Sequence, residues 1–247
     1  MPFTRTDDGP LAILTLAHGD LNLFDDAVFA SLREEVGRLA AQPPRGLLVE
    51  ARGRVVSAGV DVHVFEGLSP DAAGTLWREL LETIHALETL PCPTVFAAHA
   101  LCLTAAFEIA LACDLLVASS EATFGLVETV VGLTPSMGGP QRLARRAGPA
   151  RAKRLVYSGE LFDASTLHGW GVVTDLDVDA RALALRLAAG PTRAHAATKR
   201  LVDAPTVAAA DALVPEVSGA LFATADLQGA VGSFLRDGPG RATFEGR

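Results

Sequence analysis

Cysteine is scarce in this chain, and the few present form no pattern. Cys92, Cys102 and Cys113 show no Cys-x-x-Cys spacing and have no histidine pair nearby, which argues against a disulfide framework and against a zinc site. Basic charge is also in short supply: 21 Lys and Arg stand against 29 Asp and Glu, a net charge of −8. General binding to nucleic acid or to an anionic membrane surface relies on basic patches, so neither is expected. No long apolar run is free of charge, because the most apolar stretch, residues 99–128, is broken by Glu108 and Asp114. The N-terminus has no basic segment leading into an apolar one, so no secretory signal is expected. These absences predict a cytoplasmic protein with reduced thiols. Gly-x-Ser-x-Gly, P-loop, His-Glu-x-x-His and Rossmann glycine patterns are missing as well, which removes support from hydrolase, nucleotide-driven and zinc chemistry.

What is present is a globular composition, 49% apolar and 20% charged over 247 residues, enough for a sizeable core. Leu11 to Leu16, Gly46 to Ala51, Thr94 to Ala98 and Asp114 to Ala118 read as strands. Between them, Val28, Leu32, Val36 and Leu39 mark one face of a helix over Asp25 to Gln42. Leu76, Leu80, Ile84 and Leu87 mark a second helix over Pro70 to Leu90, and Leu103 to Ala112 reads as a third. Helices fill Gly139 to Tyr157, and Val172 to Leu176 reads as a last strand. Strands alternating with helices over short connections predict an α/β class. Beyond Pro191 only helices are expected, ending in a poorly structured tail. That places a boundary near Gly190, between an α/β core of residues 1–190 and a helical region of residues 191–247.

Glu108 is the residue that demands an explanation. It is an acid inside a run of small and apolar side chains, and an ionised carboxylate is rarely buried without a partner. Two readings compete on the residues alone. Glu108 pairs with a cation or faces water, or it converges with Glu128 on one pocket as an acid/base pair whose pKa values burial raises toward neutrality. Two loops accompany the pair. Ser57-Ala58-Gly59-Val60-Asp61 is a small-residue loop that can present backbone N–H to a ligand, or is a plain turn. Thr104-Ala105-Ala106 opens a helix whose free N–H groups make an oxyanion site, or is an ordinary helix start. Two N–H donors aimed at a carbonyl oxygen, with two carboxyls opposite, would suit proton chemistry next to a thioester.

The order SAGVD, FEIALACDLLVAS, ATFGLVE and VGLTPSMGGPQRL resembles the enoyl-CoA hydratase/isomerase (crotonase) family from Asn22 nearly to the C-terminus. The resemblance implies a spiral of strand-strand-helix units followed by C-terminal helices that assemble homotrimers or homohexamers. It implies that the Val60 and Ala105 N–H groups form the oxyanion hole, with Ala58, Gly59, Asp61 and Thr104 around the substrate. Glu108 then matches the residue that activates water, and Glu128 the one that moves a proton at the α-carbon. Having both favours hydration of a 2-enoyl-CoA thioester over isomerisation. Decarboxylation, or acyl-CoA binding without catalysis, are the other readings within the resemblance. No metal or redox cofactor is implied, since coenzyme A is part of the substrate.

The departures are local. His99-Ala100 and Thr104-Ala105-Ala106 stand where the family usually has Asn-Gly and a glycine triplet. His63 and Asp237 stand where lysines are common. The basic run Arg142, Arg145, Arg146, Arg151, Lys153 and Arg154 reads as a solvated helix face or a subunit contact, with a phosphate site as the sharper alternative.

Overall fold

A computed structural model describes all of residues 1–247. The four strands expected before residue 120 form the centre of one six-stranded sheet. The chain opens with an unexpected strand, β1 (Phe3–Asp8), which pairs antiparallel with β2 (Leu11–Leu16). From β2 the sheet runs parallel through β3 (Gly46–Ala51), β4 (Thr94–Ala98) and β6 (Leu115–Ala118) to the two-residue β9 (Asp175–Leu176). A second, three-stranded sheet joins β5 (Cys102–Leu103), β7 (Thr123–Gly125) and β8 (Phe162–Asp163). None of these three was legible in the sequence, because two or three residues carry no alternation to read.

The sheet is apolar on both faces because helices cover both. Leu14, Leu16, Leu47, Val49 and Phe96 join the large core beneath α1 (Asp26–Ala41), α2 (Pro70–Glu88) and α3 (Thr104–Ala112). Leu11, Ile13, Leu48, Val95 and Val117 point the other way and pack on Leu183, Ala184 and Ala188 of α7 (Ala180–Ala188). Strands buried on two sides read as continuous hydrophobic runs, which is the pattern of a parallel sheet. The predicted helix faces are the buried ones: Val28, Leu32, Val36 and Leu39 on α1, and Leu80, Ile84 and Leu87 on α2. Asp25 starts α1 by accepting the Val28 N–H, and Ser69 starts α2 through Ala72 N–H.

The basic segment folds as α4 (Gly139–Ala147) and α5 (Pro149–Ser158), and α6 (Ala164–Gly169) leads into β9. After α7, α8 (Thr192–Val202), α9 (Val207–Leu221) and α10 (Ala225–Asp237) complete the chain. No single helix is long and apolar enough to cross a membrane, and α9 and α10 meet at 76°. The tail expected to be poorly structured lacks regular structure but is pinned. Asp226, buried at 7% exposure, accepts the Glu245 and Gly246 N–H groups, and Arg45 holds the Phe244 carbonyl. Only tertiary partners could reveal this, since the tail's own glycines and polar residues give no local signal.

Candidate active site

The two loops singled out in the sequence lie side by side. The Ser57–Asp61 loop is zipped along the segment before α3: Val56 and Ser57 N–H donate to Leu101 O, Leu103 N–H donates to Ser57 O, and Ser57 bridges Cys102 in parallel. On its other side Ala58 N–H donates to Leu21 O, and Asp61 N–H to Phe24 O. Ser57 Oγ caps its own loop, donating to Asn22 O at 2.7 Å and accepting Gly59 N–H at 3.0 Å. No acceptor within the chain takes the Val60 N–H. Ala105 is the second residue of α3, where an N–H has no intrahelical acceptor. Gly59 and Thr104 leave no room for a side chain between them: a Cβ built on Gly59 (φ +113°) would stand 3.0 Å from Thr104 Oγ1.

Thr104 is unusual in two respects. Its φ is +47°, a backbone conformation costly for a β-branched residue. Its hydroxyl is buried without a hydrogen-bond partner. Asp61 caps the short 3-10 turn Val62–Phe65 and holds the exposed His63, both through its N–H at 3.0 Å and through ring Nδ1 at 2.6 Å. These contacts keep the Asp61 carboxyl below its ordinary range.

One turn along α3 from Ala105 sits Glu108, within a helix whose nine residues are all buried. Its Oε1 accepts the Met137 N–H at 2.9 Å and the Gly139 N–H at 2.7 Å. Gly139 is obligatory in this arrangement, since a Cβ there would come within 2.9 Å of Glu108 Cγ and Oε1. Glu128 follows β7 on a 3-10 turn (Glu128–Val131), and its Oε2 is enclosed without a partner. Burial pushes Glu108 up from 4.5 to about 8, helped by the negative charge of Glu128, while the two N–H bonds and Arg142 pull the other way. Burial likewise pushes Glu128 up to about 7. The sequence left open whether Glu108 pairs with a cation or converges with Glu128; in the fold the charges of both Glu128 and Arg142 act on it, in opposite directions. Geometry of this kind holds protons near neutral pH and can move them.

A model of the family described as "Enoyl-CoA hydratase/isomerase" matches residues 10–234. The chain belongs to the enoyl-CoA hydratase/isomerase family. Among curated relatives, "Probable enoyl-CoA hydratase EchA17" of Mycobacterium tuberculosis is 34% identical over 201 residues, covering 78% of this chain and 77% of that one. The human "Enoyl-CoA hydratase domain-containing protein 2, mitochondrial" is 33% identical over 169 residues, covering 68% of this chain and 58% of that one. Among solved structures, an enoyl-CoA hydratase from Polaromonas sp. JS666 superposes with a TM-score of 0.87 at 27% identity, covering 98% of this chain and 99% of that one. Pseudomonas aeruginosa DspI superposes with a TM-score of 0.86 at 28% identity, covering 95% and 94%. The crotonase fold expected from the sequence is therefore the fold of this chain.

Other sequence candidates fall away from the site or inward. His99 is exposed and its ring meets Gly53 O at 3.0 Å, a structural contact. The three cysteines are free and buried, and burial pushes the Cys92 and Cys113 thiols up to about 12, so they remain protonated. No group of three His, Cys, Asp or Glu side chains is placed to hold a metal ion. The basic run divides: Arg145, Arg151, Lys153 and Arg154 are exposed, as a solvated face would be, and Arg142 and Arg146 are not. Arg145 pairs with Asp203, Arg151 lies over the Trp170 ring and Arg154 over Phe162. Arg146 reaches inward to the carbonyls of Leu111, Cys113 and Val172, and Arg142 reaches inward to Glu88. Nothing in the run of basic residues as such foretold this inward turn; helical spacing puts Leu143 and Arg146 on one buried side, which was the available signal.

Proposed function

We propose that this chain is an enoyl-CoA hydratase, adding water across the double bond of a 2-enoyl-CoA thioester. The observation that carries the reading is a buried carboxyl, Glu108, held by two N–H donors, with a second, partly buried carboxyl, Glu128, near enough for its charge to act on the first. Burial holds both carboxyl pKa values near neutrality, Glu108 at about 8 and Glu128 at about 7, while the two N–H donors pull Glu108 toward its ionised form. One proton shared in this way suits the reaction. The thioester oxygen binds between the Val60 and Ala105 N–H groups, which stabilise the negative charge that develops as the β-carbon is attacked. Glu108 orients the attacking water and takes its proton. Glu128 delivers its own proton to the α-carbon, so the pair ends with the proton exchanged and solvent resets it. Ala58, Gly59, Asp61 and Thr104 shape the wall around the thioester.

The chemistry uses proton transfer and backbone dipoles, so the reading needs no metal or redox cofactor, and coenzyme A enters as part of the substrate. It includes a cytoplasmic homotrimer or homohexamer, with residues 191–247 as the assembly region next to a core of residues 1–190, and with no nucleic acid or membrane as partner. Isomerisation and decarboxylation share the same enolate, and the crowded Thr104 corner favours keeping them as the second reading. The test is loss of enone absorbance with short, medium and aryl 2-enoyl-CoAs, beside Glu108→Gln and Glu128→Gln. Loss with the wild type alone supports hydration and both roles. Undiminished turnover in Glu128→Gln sinks the mechanism.

A further inference from the structure

The Gly138–Gly139 peptide is gripped from both ends. Its N–H donates to Glu108 Oε1 at 2.7 Å, and its carbonyl, on Gly138, accepts from Arg142 Nη1 at 3.3 Å. The same Arg142 nitrogen donates at 3.5 Å to the carbonyl of Met137, the other residue whose N–H serves Glu108. Arg142 is itself fixed by a two-pronged pair with Glu88, the last residue of α2: Nε to Oε1 at 3.0 Å and Nη2 to Oε2 at 2.5 Å. The Arg142 side chain is only 12% exposed and that of Glu88 23%. A trans peptide points its C=O and N–H in opposite directions, so fixing the carbonyl fixes where the N–H aims. Gly138 has φ +95°, a conformation open to glycine and strained for other residues.

We infer that Arg142, braced by Glu88, is the positioning residue for Glu108, acting through the Gly138–Gly139 peptide rather than touching the substrate. The chain of contacts runs from an anion to a cation, to a peptide dipole, and to the carboxylate it serves, and hydrogen bonds in such a series polarise one another. A planar guanidinium is required because one side chain must meet a carboxylate with two prongs and a carbonyl with the third. The Arg142 charge also favours the ionised form of Glu108. Glu128 is the other charged group facing Glu108, from the 3-10 turn after β7. Facing Glu88 are Arg142, His85 at 4.0 Å on α2, and Arg146 one turn along α4.

The rate predictions rest on the hydratase reading, and the titration below does not. In the full chain, Arg142→Met is expected to lower kcat roughly tenfold to a hundredfold with KM unchanged, the scale for a displaced catalytic group. The pH limb for ionisation of Glu108 is expected to move upward. Arg142→Lys keeps the charge and loses the fork, so the limb returns toward its wild-type position while kcat stays low. Glu88→Gln is expected to lie between wild type and Arg142→Met. On the residual turnover of Glu108→Gln, adding Arg142→Met is expected to change nothing further. An equal loss in that background, or an unmoved limb with only the melting temperature lowered, reduces Arg142 to a staple between α2 and α4 and overturns the inference. Carbon-13 NMR of the glutamate carboxyls, with the Glu108 signal assigned by its absence in Glu108→Gln, follows the ionisation without turnover. If no acyl-CoA is hydrated, the proposed function fails, and this titration still decides: an upward move in Arg142→Met upholds the clamp, and an unchanged curve overturns it.

Discussion

Thr104 carries two costs at one position, a positive φ on a β-branched residue and a buried hydroxyl with no partner. Each is worth about 1–3 kcal/mol. Thr104→Val keeps the shape against Gly59 and removes the stranded hydroxyl, so it is expected to raise the melting temperature by roughly 2–4 °C for each kcal/mol recovered; calorimetry checks this, and a lower value means the hydroxyl has a use in the free chain. Glu108 makes a second residue-scale prediction. Its folded pKa, about 8, lies above the ordinary 4.5, so the folded state holds an extra proton between those values. Stability is therefore full below about pH 4.5 and falls as pH rises toward 8. Glu108→Gln accepts the same two N–H bonds without the charge. Its thermal midpoint is expected to match wild type near pH 4.5 and exceed it increasingly up to pH 8; parallel curves would show that Glu108 is not the titrating group.

At the scale of elements, α3 is a short helix whose job is to hold one acid against a loop. It is buried all round, so its amphipathic pattern is weak, yet its span was legible to within a residue because a strand precedes it and another follows. The loop that serves Glu108 was not legible. Gly138 and Gly139 look like an ordinary turn before a basic helix, and their purpose depends on donors meeting an acid 29 and 31 residues earlier in the chain. Gly139→Ala is expected to lower kcat at least tenfold while the far-ultraviolet circular dichroism stays unchanged, since a Cβ 2.9 Å from Glu108 must push one partner away. Unchanged kcat would mean the loop yields without disturbing the acid.

At the scale of the whole molecule, the C-terminal helices present apolar surface that the chain itself does not cover. Phe222, Val231, Phe234 and Leu235 are exposed, and a cavity of about 410 Å³ opens between α8, α10 and the tail. Surface of this kind marks an association site. In the proposed assembly, Phe234→Asp is expected to turn a species of three or six chains into monomers in light scattering; a wild type that is already monomeric removes the trimer proposal. Asp226→Ala should loosen the tail, read as faster amide exchange at residues 245 and 246, because their N–H groups donate to the Asp226 carboxylate. The sequence by itself determined the α/β class, the main strands and helices, the family, and Glu108 and Glu128 as the acids to watch. Those features are written in periods of two to four residues or in short motifs, and local backbone preference and burial are enough to read them. Tertiary structure alone decided what holds Glu108, which two arginines reach inward, and how the tail is pinned. Each of these is a hydrogen bond between groups far apart in sequence, such as Arg142 with Glu88, separated by 54 positions, and such pairs exist only once the chain has closed around its core.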